Sequence, residues 1–196
     1  MPDKPDKKEK RYKWRRADYR EKTKGLLMVN TGDGKGKTTA AIGLLVRAGG
    51  RGLSCCMIQF MKSKNDRYGE HESLEKLGIE VHTMGDGFTW DTNDTAQDIQ
   101  TAKSTWELCV SKMESGEYDL LVFDELIYVL DYGFLDLDDV LKTIAKIRAV
   151  QPSLHLVLTG RNAPNKLIDA ADLVTEMKEV KHPFHAGIYA QQGIEF

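Results

Sequence analysis

Residues Asn30 to Thr39 read Asn-Thr-Gly-Asp-Gly-Lys-Gly-Lys-Thr-Thr, between a short apolar run and a helical stretch that begins Ala40-Ala41-Ile42. In such a strand-to-helix turn, glycines let successive backbone N–H groups point inward, and the helix N-terminus adds the positive end of its dipole. Lys37 supplies a mobile cation, the Thr38 hydroxyl is placed to meet a divalent metal, and Thr39 stands beside it near the phosphates. This is a phosphate cradle for a nucleotide. It departs from the spacing G-x-x-x-x-G-K-[ST] at one point, because position 31 holds Thr31 and the glycine falls at Gly32. Gly34 and Lys35 add a further glycine and a further lysine. They predict a flexible, strongly cationic loop that holds its nucleotide differently from an ordinary γ-phosphate enzyme.

A second group of chemical residues ends the apolar run Tyr118-Asp119-Leu120-Leu121-Val122-Phe123 with Asp124-Glu125. Carboxylate oxygens suit hard Mg²⁺, which is usually held by one or two carboxylates together with phosphate oxygens and water. If the strand continues, its alternation sends Asp124 and Glu125 to opposite faces, so that one of them reaches a metal directly. Leu158-Thr159-Gly160-Arg161 ends another apolar run and brings Arg161 to the same carboxyl edge, where it can meet phosphate or ribose. His182 and His185 have an H-x-x-H spacing without cysteine or further acids nearby, and they read as hydrogen-bonding structural residues.

The elements that must position these groups are legible as short apolar runs alternating with helical stretches, the pattern of βαβ units. Strands are expected at Leu26–Asn30, Leu53–Phe60, Ile79–Thr83, Tyr118–Phe123, Leu154–Thr159 and Leu173–Thr175. Residues 94–115 place Ile99, Ala102, Trp106, Cys109 and Met113 on one helical stripe. Residues 137–149 do the same through Val140, Ile144 and Ile147, with Asp136 as N-cap. Met61–Gly69 and Gly85–Asp91 read as loops at the ligand-facing edge. The expected architecture is a single α/β domain over residues 25–196, a mostly parallel sheet flanked by helices of the P-loop NTPase or RecA-like kind.

Composition sets the remaining bounds. A chain of 196 residues with 41% hydrophobic content suffices for one domain with a full core. Residues 1–24 carry eleven Lys/Arg against five Asp/Glu, and the rest carries 17 against 25, so a basic N-terminal arm precedes an acidic body. The arm interleaves Tyr12, Trp14 and Tyr19 with arginines. No apolar run approaches a membrane span, and no apolar stretch follows the N-terminal charges, so the expected location is cytoplasmic. Cys55, Cys56 and Cys109 are odd in number, and they read as reduced core thiols.

Taken together these motifs resemble the ATP:corrinoid, or cob(I)alamin, adenosyltransferases of the bacterial P-loop type. The resemblance is carried by residues 31–41, by Gly87-Phe88-Thr89-Trp90-Asp91-Thr92, by Asp124-Glu125-Leu126, by Leu158 to Arg161, and by Val180-Lys181-His182-Pro183-Phe184 through Gly187 to Ile194. It implies that a Co(I) corrinoid attacks C5′ of ATP and that triphosphate leaves, in adenosylcobalamin synthesis or salvage. It assigns Gly32, Asp33, Gly34, Lys35, Gly36, Lys37, Thr38 and Thr39, with Arg161, to the nucleotide. It assigns Thr38 and Glu125, with Asp124 adjacent, to Mg²⁺ or Mn²⁺. Lys35 and Lys37 would stabilise the leaving triphosphate, while Phe88 and Trp90 would pack on the corrinoid's lower face and displace its axial ligand. It further implies a homodimer with the arm over the partner's corrinoid site and an electron-donating flavoprotein; neither a membrane nor a nucleic-acid partner is expected. Two other readings stay open from the residues alone. One is an ATPase or small-molecule kinase acting at the γ-phosphate, the other a nucleotide-sensing module whose basic arm holds nucleic acid.

Overall fold

The computed structural model describes residues 24–63, 68–85 and 95–195. Among the described residues six strands form one sheet, β1 (Leu27–Thr31), β2 (Cys55–Ser63), β3 (Glu80–Gly85), β4 (Leu120–Asp124), β5 (His155–Thr159) and β6 (Leu173–Glu176). Their order is β3-β2-β4-β5-β1-β6, and every pairing is parallel. The helices are α1 (Lys37–Gly49), α2 (Gly69–Lys76), α3 (Thr95–Glu114), α4 (Leu126–Asp131), α5 (Leu137–Val150) and α6 (Asn165–Ala170), followed by a 3₁₀ turn at Pro183–Ala186.

The apolar runs are continuous because both faces of the sheet are covered. Alternate residues divide between two cores. Met28, Met57, Val122 and Val157 pack against Ala41 and Leu45 of α1 and Leu74 of α2. Val29, Ile58, Phe123 and Leu158 face the other way, onto Ala102, Cys109 and Met113 of α3 and Val140, Ile144 and Ile147 of α5. Of the expected α3 stripe, Trp106 is partly buried, its ring edge-to-face with Phe123 at 6.2 Å. Asp136 caps α5 as expected, its carboxylate accepting from the Asp139 N–H at 2.9 Å. The three cysteines are free and buried.

All six expected strands are present, with ends displaced by a few residues. The largest difference is at β2, which starts at Cys55 and runs on to Ser63, while α2 begins at Gly69, so both ends of the expected loop Met61–Gly69 belong to regular elements. Strand β5 lies between β1 and β4. The cradle at the end of β1 and the carboxylates at the end of β4 therefore flank a common strand, and that strand ends in Thr159. Ligands of parallel α/β sheets bind in the crevice at this carboxyl edge.

Candidate active site

Strand β1 continues through Thr31, whose Cα pairs with Glu176. The first glycine of the usual spacing is therefore replaced by a strand residue. The Thr31 carbonyl accepts from the Met177 N–H, and its hydroxyl accepts from the Ala163 N–H at 3.1 Å. The segment following β6 then presses directly on the loop, with Gly34 N–H donating to the Met177 carbonyl at 2.7 Å. A Cβ on Gly32 would lie 2.5 Å from the Met177 oxygen, and one on Gly34 would lie 2.7 Å from the Lys178 carbonyl carbon. The expectation of a flexible cradle is corrected here: Gly32 and Gly34 permit close backbone packing, and that packing braces the loop.

Helix α1 starts after Gly36 with no side-chain cap and no acidic residue in its first turn, which leaves its N–H groups and dipole to an anion. The Lys37 ammonium folds over its own loop and donates to the carbonyls of Gly32 at 2.7 Å and Gly34 at 2.8 Å. Burial, and then the charge of Arg161, lower its pKa. The charge of Arg161 thus reaches Lys37, and Arg161 itself is exposed. Lys35 pairs with Glu195, and Asp33 and Thr39 are exposed at the loop's rim.

Asp124 is fully buried. Its Oδ1 accepts from Thr38 Oγ1 at 2.9 Å and Thr159 Oγ1 at 2.7 Å, and its Oδ2 accepts from Gln59 Nε2 at 3.2 Å. The alternation expected for the two carboxylates does not apply, because β4 stops at Asp124 and Glu125 takes a left-handed backbone, φ 64°. That conformation costs a non-glycine residue about 1–2 kcal/mol. The Glu125 N–H is held by Thr159 Oγ1 at 2.8 Å. Both carboxylates thus belong to one site. Among the described residues, Glu125 Oε2 is a buried polar atom with no hydrogen-bond partner. Burial and then the charge of Asp124 raise the Glu125 carboxyl from its ordinary 4.5 to about 7. Such an orphaned acidic oxygen beside a hydroxyl and a second carboxylate fits a hard divalent cation.

Phe88 and Trp90 lie outside the described residues, as does the basic arm apart from Lys24, which pairs with Asp172. His182 caps the 3₁₀ turn, its Nδ1 accepting from the Phe184 N–H, and His185 pairs with Glu179. Both therefore have structural hydrogen-bonding roles. A different group, Cys56 with Glu80 and His82, has the mutual spacing of metal ligands. It sits near the opposite end of the sheet, and Lys112, Tyr118 and His82 already bond Glu80.

Sequence reasoning missed Gln59, His71 and Thr83, which form a buried or half-buried polar cluster beside Asp124. Gln59 had one available signal, a lone amide within the apolar run Cys55–Met61. His71 had none, since its helix is hydrophilic in sequence.

Residues 23–196 match the family model of the ATP:corrinoid adenosyltransferases BtuR/CobO/CobP. The chain belongs to this family. A corrinoid adenosyltransferase of Sinorhizobium sp is 42% identical over 177 residues, 88% of this chain and 81% of the relative. One from Pseudomonas aeruginosa is 43% identical, covering 88% and 84%, and one from Escherichia coli K12 is 34% identical, covering 96% and 99%. The flagellar accessory protein FlaH of Methanocaldococcus jannaschii shares the fold, with TM-score 0.52 over 78% of this chain and 70% of its own at 11% identity. Family membership makes the chain a transferase, and the substrates it implies are ATP and a corrinoid. No helix of the described residues is long and apolar enough to cross a membrane.

Proposed function

We propose that the braced cradle and the carboxylate pair hold ATP so that Co(I) of a corrinoid displaces its triphosphate from C5′. The cobalt supplies the electron pair of the new carbon–cobalt bond, and the C5′–oxygen pair leaves with the triphosphate. The observation that carries this reading is the convergence, on one strand edge, of an uncapped helix N-terminus with Lys37, Thr38 and the orphaned Glu125 oxygen.

Each of the chain's groups has a task. Backbone N–H groups from Gly32 to Thr38 and the first turn of α1 bind phosphate oxygens, except that of Gly34, which stays on the Met177 carbonyl, with Asp33 and Thr39 at the rim. Lys37 exchanges two carbonyl partners, and Lys35 its Glu195 partner, for phosphate oxygens, placing positive charge where the leaving group becomes more negative. Arg161 adds a cation at the same edge. Thr38, Glu125 and Asp124 would hold Mg²⁺ or Mn²⁺, which supplies charge neutralisation of the phosphates when bound. Phe88 and Trp90 would pack on the corrinoid's lower face, where removal of the axial ligand would ease reduction of Co(II).

Reduction calls for an electron donor, and a flavoprotein suits that role. A homodimer is supported by the exposed apolar residues of the C-terminal segment, among them Val180 at 94%, Tyr189 at 83% and Ile194 at 79%. The cytoplasm is the proposed location, consistent with three free thiols.

Anaerobic incubation with MgATP and chemically reduced cob(I)alamin tests the reaction. A light-sensitive alkylcobalamin spectrum with one triphosphate per product is expected; ADP and phosphate without a cobalt–carbon product would refute it.

A further inference from the structure

The strand register builds a polar row across the carboxyl edge of the sheet. Gln59 of β2 is the Cα partner of Asp124 on one side and of Thr83 on the other. Thr159 follows Leu158, the partner of Phe123, and itself pairs with Asn30 of β1. Thr83, Gln59, Asp124, Thr159 and Asn30 therefore lie side by side on the face covered by α1 and α2. Helix α1 lowers Thr38 onto this row, and α2 lowers His71.

The hydrogen bonds of the row converge on Asp124, from Thr159 and Thr38 on one side and from Gln59 on the other, and a backbone amide sets the direction on the Gln59 side. The Tyr68 N–H can only donate, and it donates to His71 Nδ1 at 3.3 Å. Nδ1 is therefore an acceptor, so the neutral ring carries its proton on Nε2. That proton is donated to Gln59 Oε1 at 2.7 Å, and the same oxygen accepts from the Thr83 hydroxyl at 3.1 Å. With its oxygen engaged by two donors, the Gln59 amide must present its NH₂ to Asp124 Oδ2. Amide and imidazole orientation are thus decided by a main-chain group three positions before His71.

We propose that Gln59 and His71 are positioning residues for the metal–nucleotide site, holding the Asp124 carboxylate with its Oδ1 turned to Thr38. An amide cannot take a proton from a substrate or from water, so Gln59 acts by placing a carboxylate. His71 acts at one remove, by keeping the amide from flipping. A flipped Gln59 would set its carbonyl oxygen against the Asp124 carboxylate and leave its NH₂ facing an N–H. This inference rests on the metal reading of Thr38, Asp124 and Glu125 given above.

The test measures Mn²⁺ binding to the complex of the full chain with ATP, by the loss of the free-ion electron paramagnetic resonance signal, without corrinoid. Gln59→Met removes the donor at similar volume. It should weaken Mn²⁺ binding by about tenfold to a hundredfold, the range for losing one hydrogen bond to a charged group. Affinity for ATP in excess chelator should stay at the wild-type level, which a general packing defect would not allow. His71→Phe should weaken Mn²⁺ binding in the same way, and His71→Gln, whose amide N–H can replace Nε2–H, should restore most of it. Wild-type Mn²⁺ binding in Gln59→Met, or an equal loss of chelator-insensitive ATP binding, overturns the proposal. If Gln59→Met does not fold, the two His71 variants decide, and equal affinities in them overturn it. Should the wild type bind Mn²⁺ no better than Glu125→Gln does, the metal reading fails and this inference falls with it.

Discussion

Replacing Glu125 by glutamine should stabilise the ligand-free protein at high pH while removing its response to metal. In the native state the Glu125 carboxyl is raised from 4.5 to about 7, first by burial and then by Asp124. A group raised by folding contributes stability that is fully present below the unfolded value and is lost as pH rises through the native one. The window is therefore between about pH 4.5 and 7, and above it the wild type bears the whole cost of an ionised Glu125. At 1.36 kcal/mol per pKa unit, this shift corresponds to roughly 3 kcal/mol. For a domain of this size 1 kcal/mol moves Tm by about 2–4 °C, so roughly 6–12 °C is at stake. Glutamine is neutral at every pH and close in volume. Its Tm should match wild type near pH 4 and exceed it by most of that amount at pH 8.5. Titrations remote from Glu125 cancel in the comparison. Differential scanning calorimetry of both proteins at the two pH values reads the effect, and repeating the pH 8.5 scans with MgATP should show a large upward shift in the wild type and a small one in the variant. A Tm difference that is the same at both pH values, or a variant less stable at pH 8.5, would refute the assignment of Glu125 as a buried carboxylate awaiting a cation.

Gly34→Ala should destabilise the protein by about 1–3 kcal/mol in urea and weaken ATP binding, since the new Cβ meets Lys178 and Met177 backbone atoms at 2.7–2.9 Å; unchanged stability would mean that the C-terminal segment does not brace the loop. Lys37→Met should lower the single-turnover rate by about 10²–10³, the effect of losing one preorganised donor, with the fold intact by circular dichroism. Cys55, Cys56 and Cys109 are buried, and burial raises their pKa values, that of Cys56 to about 12. Their reaction with an aromatic disulfide reagent at pH 8 should proceed no faster than unfolding, and a rapid phase would contradict their placement.

The fold was legible because burial on both faces leaves a simple mark. Short runs such as Leu120–Phe123 and Leu156–Leu158, alternating with helical stretches, are the mark of strands in the interior of a parallel sheet. Helices α3 and α5 carry a periodic stripe and, for α5, a cap. The short helices α2, α4 and α6 have six to eight residues, too few for a periodic pattern to declare itself. At the site, the glycine–lysine–threonine loop and the paired acids announced themselves through residue type, because phosphate and metal chemistry restrict which side chains can serve.

The sequence by itself determined that a phosphate cradle follows one strand, that two carboxylates end another, and that the chain resembles one transferase family. Tertiary structure decided how those parts meet. The order of strands puts Thr159 between cradle and carboxylates, and the register puts Gln59 beside Asp124. The left-handed turn at Glu125 defeats an alternation that holds only while a strand continues. The glycines at 32 and 34 answer to a segment about 145 residues downstream in sequence, which no local pattern in the loop could reveal. Each of these depends on which residues become neighbours across strands and segments far apart in the chain, and local propensity carries no information about such neighbours.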